Sequence, residues 1–289
     1  MSRKIAVTGA NGFLGSRVAA YYQERYETIG YTRQELDFTD REKAKKVIKR
    51  DHPDILIHTG AISDTSACEE NPQLSWKVNV EGVSNLASVC GELGIRLIFC
   101  SSDQVYMGNQ VRTPHRENEK LCPVSAYACQ KRKAEQEALR LQPDTVALRL
   151  SWMFSADRRE GKEHGTLFSS IRDAIQNGCE IRYPVHDYRS ITDVWEVVRN
   201  MEIMFQAPAG IYNFGSENDL STYEVVKRVL AHIGKGQNLL KKNEEAFAGD
   251  PRNLRMDIEK CRAAGAVFRT TAEALEAAGE TMFITNPPL

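Results

Sequence analysis

The chain reads as a doubly wound α/β fold, a parallel sheet with helices on both faces, carrying a smaller C-terminal lobe. Three observations predict this. Short apolar or β-branched runs alternate with segments of helical period over residues 1–150, a glycine-spaced turn joins the first run to the first helix, and the strict alternation fades afterwards.

Taken in order, strands are expected at residues 5–8, 28–31, 55–58, 97–100 and 145–150, and helices at 14–25, 41–49, 74–91 and 126–140. A strand, a crossover helix and a second strand make a parallel pair, so this order implies one parallel sheet. Beyond residue 150, the stretch 157–165 (DRREGKEHG) is charged and contains glycine, which predicts an exposed loop. Strand-like segments at 180–183 and 210–214 and helical ones at 194–205, 222–233 and 271–278 complete the chain. The expected division is a dinucleotide-binding domain over 1–150, to which the chain returns around 190–214, and a mainly substrate-binding lobe over 151–289.

The composition narrows the function classes. Of 289 residues, 42% are apolar and 27% charged, with a formal net charge of -1, the balance of an ordinary globular protein. The run Lys131-Arg132-Lys133 is short enough to be a solvated helix face, so no nucleic-acid partner is expected. Seven cysteines, an odd number without a CxxC pair, read as reduced thiols, and none has a His or Cys at metal-ligand spacing, so no metal is expected. The N-terminus runs directly into a strand, with neither a signal-peptide pattern nor a membrane-length apolar run. The expected location is the cytoplasm, with no membrane contact; a homo-oligomer is left open.

The turn Gly9-Ala10-Asn11-Gly12-Phe13-Leu14-Gly15 ends a strand and opens a helix. Its glycines serve a tight turn, a close approach of backbone amides to a pyrophosphate, and close helix-strand packing, while the helix N-terminus favours an anion. A Rossmann-like dinucleotide site follows. About twenty residues on, where an acidic residue would serve a ribose hydroxyl, the chain has Thr32 and Arg33. A guanidinium there suits a 2′-phosphate, favouring NADP(H). Glu35, two positions on, leaves NAD(H) open.

Tyr127 and Lys131 stand one helical turn apart in Tyr-Ala-Cys-Gln-Lys, so they share a helix face. A phenol is a poor proton donor near neutrality unless a neighbouring cation favours phenolate, and the lysine supplies one. Ser102, at the end of the fourth strand, is the candidate to polarise the same carbonyl.

Together, Thr8 to Gly15, Ser101-Ser102-Asp103-Gln104-Val105-Tyr106 and Tyr127 to Lys131 resemble the extended short-chain dehydrogenase/reductase family. Within it, Leu36-Asp37-Phe38-Thr39-Asp40, Val78-Asn79-Val80, Arg149-Leu150-Ser151-Trp152 and Arg252 to Asp257 look most like the dTDP-4-dehydrorhamnose reductases. The resemblance implies cofactor contacts from Gly9, Asn11, Gly12, Phe13, Leu14, Gly15, Arg33, Asp37, Phe38, Thr59, Gly60, Ala61, Asn79, Tyr127 and Lys131, with Asp37 and Phe38 beside the adenine. It implies substrate contacts from Ser63, Trp152 and Arg252, and catalysis by Ser102, Tyr127 and Lys131 with help from Asp103. Trp152 reads equally as a packing residue. The chain departs from the family at His58-Thr59-Gly60-Ala61, where Asn-Ala-Ala is usual, at Met107, where Asp is usual, and at Met153-Phe154, where Val-Tyr is usual. His58 is expected to be packed at a strand end.

The expected function is NADPH-dependent reduction of a keto group on a nucleotide-linked sugar. Two rivals stand beside it: an epimerase or dehydratase that retains its cofactor, and a non-catalytic dinucleotide-binding module like the regulatory beta subunit of methionine adenosyltransferase.

Overall fold

The computed structural model describes residues 3–157 and 165–285. The first half alternates as the sequence suggests: β1 (Lys4–Thr8), α1 (Phe13–Tyr22), β2 (Glu27–Tyr31), α2 (Arg41–Asp51), β3 (Ile55–His58), α3 (Thr65–Glu70), α4 (Pro72–Trp76), α5 (Gly82–Leu93), β4 (Arg96–Ser102), α6 (Ala126–Leu141) and β5 (Val146–Leu150). The second half adds β6 (Trp152–Phe154), α7 (Leu167–Asn177), β7 (Ile181–Pro184), β8 (Asp187–Arg189), β9 (Ile191–Asp193), α8 (Val194–Met201), β10 (Gly210–Phe214), α9 (Thr222–Ile233), β11 (Leu240–Asn243), β12 (Arg252–Leu254), α10 (Glu259–Ala263) and α11 (Thr271–Gly279). The loop expected at 157–165 falls almost wholly on residues 158–164, which lie outside the described residues.

Six strands form one sheet in the order β2-β1-β3-β4-β5-β10, with every neighbouring pair parallel. The order reverses between β1 and β3, the place where open α/β sheets open a crevice at the carboxyl ends of their strands. Both faces of the sheet are apolar, as burial on two sides requires. Ile5, Val7, Ile57, Ile98 and Leu148 pack towards α1 and α8 in one cluster, while Ala6, Leu56, Leu97 and Phe99 pack towards α5 and α6 in another. A third cluster, including Phe154, Phe168, Ile171, Val225, Val229 and Leu275, draws only on residues beyond 150. Around it lie three two-stranded parallel pairings, β6 with β9, β7 with β11 and β8 with β12.

One expected element is corrected. The helix read over residues 74–91 is broken into α4, a π-helical turn over Lys77–Glu81, and α5. The extra residue of such a turn re-aims the side chain within it. Here Asn79, fully buried, accepts from the backbone N–H of Ile62 (2.9 Å) and donates to its carbonyl (2.9 Å).

Candidate functional site

The glycine turn has the geometry its spacing requires. Gly9 has a φ of +71°, and a Cβ on Gly15 would lie 2.2 Å from the Gly9 carbonyl oxygen and 2.5 Å from Thr59 Oγ1. Thr59 Oγ1 donates to the Thr8 carbonyl at 2.7 Å, binding the residues after β3 to the end of β1. Gly12 is the N-cap of α1 and no side chain caps it, whereas Asp40, Asp64 and Ser125 cap α2, α3 and α6 with their oxygens. The cradle a Cβ would fill and the uncapped helix start both fit a pyrophosphate. Asn11, Phe13 and Leu14 stand at this turn, Leu14 buried and Phe13 opening the helix.

At the far end of this crevice Phe38 is wedged between two glycines. A Cβ on Gly60 would approach its ring at 2.9 Å, and one on Gly82 at 2.5 Å. The ring also meets His58 edge-on, with centroids 4.8 Å apart. Asp37 Oδ1 accepts from Thr39 Oγ1 (2.7 Å) and N (3.0 Å), which holds its carboxyl below the usual range. Arg33 is exposed and forms no hydrogen bond or ion pair among the described residues. Glu35 spends one carboxylate oxygen on Thr32 N and Oγ1, each at 2.7 Å.

His58 is buried, with Nδ1 2.6 Å from Thr8 Oγ1, and burial lowers its pKa to about 3. It is a neutral packed residue at the end of β3. Asn79, expected as a cofactor contact, is held by the segment that follows β3. Its amide is committed to Ile62 and, at 2.9 Å, to Gln130 Oε1, so it shapes the 60–63 segment, on which Gly60 and Ala61 are half-buried and Ser63 is exposed.

The structure brings Ser102, Tyr127 and Lys131 together where β4 meets α6. Lys131 Nζ donates to the Cys100 carbonyl at 2.9 Å and lies 5.7 Å from the centroid of the Tyr127 ring. Burial lowers its pKa to about 8. Burial pushes the Tyr127 phenol well above its usual value, against which the neighbouring Ser102 hydroxyl acts; that hydroxyl donates to Asp103 Oδ1 at 3.3 Å. Ser102 Oγ also accepts from Gln104 N at 3.2 Å, as the cap of the 3₁₀ turn Asp103–Tyr106.

Asp103, 2% exposed, has its pKa raised to about 6 by burial, with the cations of Arg189 and Arg252 opposing the rise. Among the described residues its Oδ2 and the Nε of Arg189 are buried without a hydrogen-bond partner. The Arg189 guanidinium lies over the half-buried Trp152 ring, 4.6 Å from its centroid. Arg252, expected as a substrate contact, is ion-paired: Asp187 takes its Nε and NH2 at 2.8 Å each. Pairing of β8 with β12 sets Asp187 against Arg252. Sequence reasoning missed Arg189 and Asp187; their only signal was two opposite charges two residues apart in a strand-like run, where side chains share a face. Among the described residues, no group of three or more His, Cys, Asp or Glu side chains could hold a metal, and no helix is long and apolar enough to cross a membrane.

A parallel sheet of this order, with a glycine-cradled helix start at its first crossover, defines a Rossmann-like α/β protein. Residues 3–282 match the model of the RmlD substrate binding domain family, and the chain belongs to that family. A dTDP-4-dehydrorhamnose reductase of Mycobacterium tuberculosis is 30% identical over 158 residues, covering 53% of this chain and 51% of that protein. The chain thus spans about half the length of that reductase. The methionine adenosyltransferase 2 subunit beta of Xenopus laevis is 26% identical over 93% of this chain and 84% of its own length. Among solved structures, a dTDP-4-dehydrorhamnose reductase of Bacillus anthracis in complex with NADP superposes with a TM-score of 0.85, covering 98% of this chain and 100% of its own, at 21% identity.

Proposed function

We propose that the chain is an NADPH-dependent reductase of a keto group on a nucleotide-linked sugar, with residues 1–150 and the returning 190–214 segment holding the dinucleotide and residues 151–289 mainly the sugar nucleotide. The observation that carries this reading is the meeting of Ser102, Tyr127 and Lys131 at the carboxyl end of β4. The dihydronicotinamide, when bound, supplies the hydride. Ser102 binds the carbonyl oxygen, Tyr127 delivers a proton to it, and the Lys131 ammonium stabilises the phenolate left behind. Asp103 Oδ2 and Arg189 Nε, buried and without a hydrogen bond among the described residues, would find theirs in the hydroxyls of a sugar lying against Trp152.

Preference for NADPH is supported by the two charges after β2. Arg33 makes no hydrogen bond or ion pair among the described residues, while Glu35 is already held by Thr32. The test offers nucleotide-linked 4-keto sugars with NADPH or NADH and follows nicotinamide absorbance and the product. Stoichiometric cofactor oxidation supports reduction, whereas an altered sugar without net oxidation points to an epimerase or dehydratase.

A second reading, a dinucleotide-binding regulatory subunit, is favoured by the longer alignment with the methionine adenosyltransferase beta subunit. Tight NADPH binding without turnover on any sugar, together with complex formation with a methionine adenosyltransferase catalytic subunit, would support it.

A further inference from the structure

Behind the candidate site lies a buried polar row. Strand pairing sets Ser101 beside Arg149 on β5, and Arg149 beside Asn213 on β10. From α6, Glu135 reaches into this row. It accepts from Ser101 Oγ at 2.6 Å and from Arg149 Nε and NH2 at 3.0 and 2.8 Å. Arg149 NH1 donates to Tyr106 Oη (2.8 Å), which donates to Asn213 Oδ1 (2.7 Å). Glu135 is 1% exposed and Arg149 2%.

Tyr127, Lys131 and Glu135 follow one another at intervals of four on one face of α6. They meet three consecutive residues of β4: Lys131 bonds the Cys100 carbonyl, Glu135 the Ser101 hydroxyl, and Tyr127 faces the Ser102 hydroxyl. A buried ion pair adds little net stability over an apolar replacement. One turn from Lys131, it has another use.

We propose that the Glu135–Arg149 pair is a positioning device for the candidate site, fixing the end of β4 on which Ser102 stands and balancing the charge around the Lys131 ammonium. This rests on the reading of Lys131 as a cofactor and proton-transfer residue. Glu135 stands between two cations, one of which it shares with the site. Neutralising Glu135 leaves the Arg149 cation uncompensated and disfavours a second charge on Lys131; neutralising Arg149 frees the carboxylate and favours it. The two changes act with opposite signs.

Cys100 and His58, which face Lys131, titrate outside pH 7 to 10. Cys100 of β4 is raised to about 12 and His58 of β3 lowered to about 3. Tyr127 is raised further, Asp103 lies at about 6, and Cys68 of α3 is moved upward by burial.

The experiment measures NADPH dissociation constants by nicotinamide fluorescence from pH 7 to 10 at fixed ionic strength. It compares the parent with Glu135→Gln, Arg149→Met and the double variant, with circular dichroism confirming each fold. The parent should lose affinity with a midpoint near the Lys131 pKa of about 8. Glu135→Gln should move that midpoint down and Arg149→Met up, each by roughly half a unit to one unit, and the double variant should return it. Equal midpoints, shifts of one sign, or a flat parental profile overturn the proposal. A parent that binds no NADPH overturns instead the functional reading beneath it. Should a charge variant fail to fold, Ser101→Ala tests the positioning half. Its kcat, on the sugar that supports parental turnover, should fall about tenfold at unchanged NADPH affinity, and an unchanged kcat refutes it.

Discussion

Tyr127 carries the sharpest expectation at the scale of a residue. Its phenol is buried and resists ionisation, the Lys131 ammonium lies close to its ring, and in the proposed mechanism it is the proton donor. Tyr127→Phe should retain parental NADPH affinity while kcat falls about a hundredfold to ten-thousandfold, the usual worth of general acid catalysis. Near-parental turnover would remove Tyr127 from the mechanism. Arg33 gives a second expectation with a definite sign. Arg33→Ala should weaken NADPH about tenfold to a hundredfold and leave NADH nearly unchanged, as a charge-assisted bidentate contact to a 2′-phosphate would. Because Arg33 is exposed, the loss should shrink with added salt. Equal losses for both cofactors, in paired fluorescence titrations, would assign Arg33 to the turn itself.

At the scale of an element, the β1–α1 turn is set by what cannot fit. Gly15→Ala places a methyl group 2.2 Å from the Gly9 carbonyl oxygen, which is backbone and must itself move. The turn and the first amides of α1 then shift together. NADPH binding should fall by at least tenfold, with the melting temperature lowered by several degrees; parental affinity by titration would mean the turn is not the phosphate site. This turn was legible because its glycines stand at fixed intervals between two periodic segments, and the five strands were legible because each apolar run is bounded by turn residues. The π-turn at 77–81 was not. Its apolar period continues that of the flanking helices, and only the capture of Ile62 by Asn79 breaks it. Lys131 was found through its spacing from Tyr127. The partnership of Arg149 with Glu135 had no such signal, since it depends on β4 and β5 being neighbours in a register that local pattern does not encode. The pairing of Arg252 with Asp187 had no local signal for the same reason, because its partner arrives from another strand.

Across the whole molecule, the late part of the chain packs into the core of the early part. Leu254, Met256 and Ile258, from the late part of the chain, pack in the same cluster as Ile5, Val7 and Ile57. Asn213 of β10 donates to the carbonyls of His115 and Asp257, and Tyr22 of α1 donates to the Val198 carbonyl. With the late segment built into the core of the sheet, neither part keeps its packing when the other is lost. Heating should therefore give one calorimetric transition whose van't Hoff and calorimetric enthalpies agree. Two resolved transitions would show that the third cluster, around Phe168 and Val229, melts independently.

The seat of Phe38 has an evolutionary consequence. Its ring fills the space that side chains on Gly60 and Gly82 would need, so three positions far apart in sequence answer to one constraint. Selection cannot enlarge either glycine while the ring stays, and a lineage that first trades the ring for a smaller side chain releases both at once. Among descendants of a common ancestor, the three positions should drift as a set, the aromatic residue leaving before either glycine does.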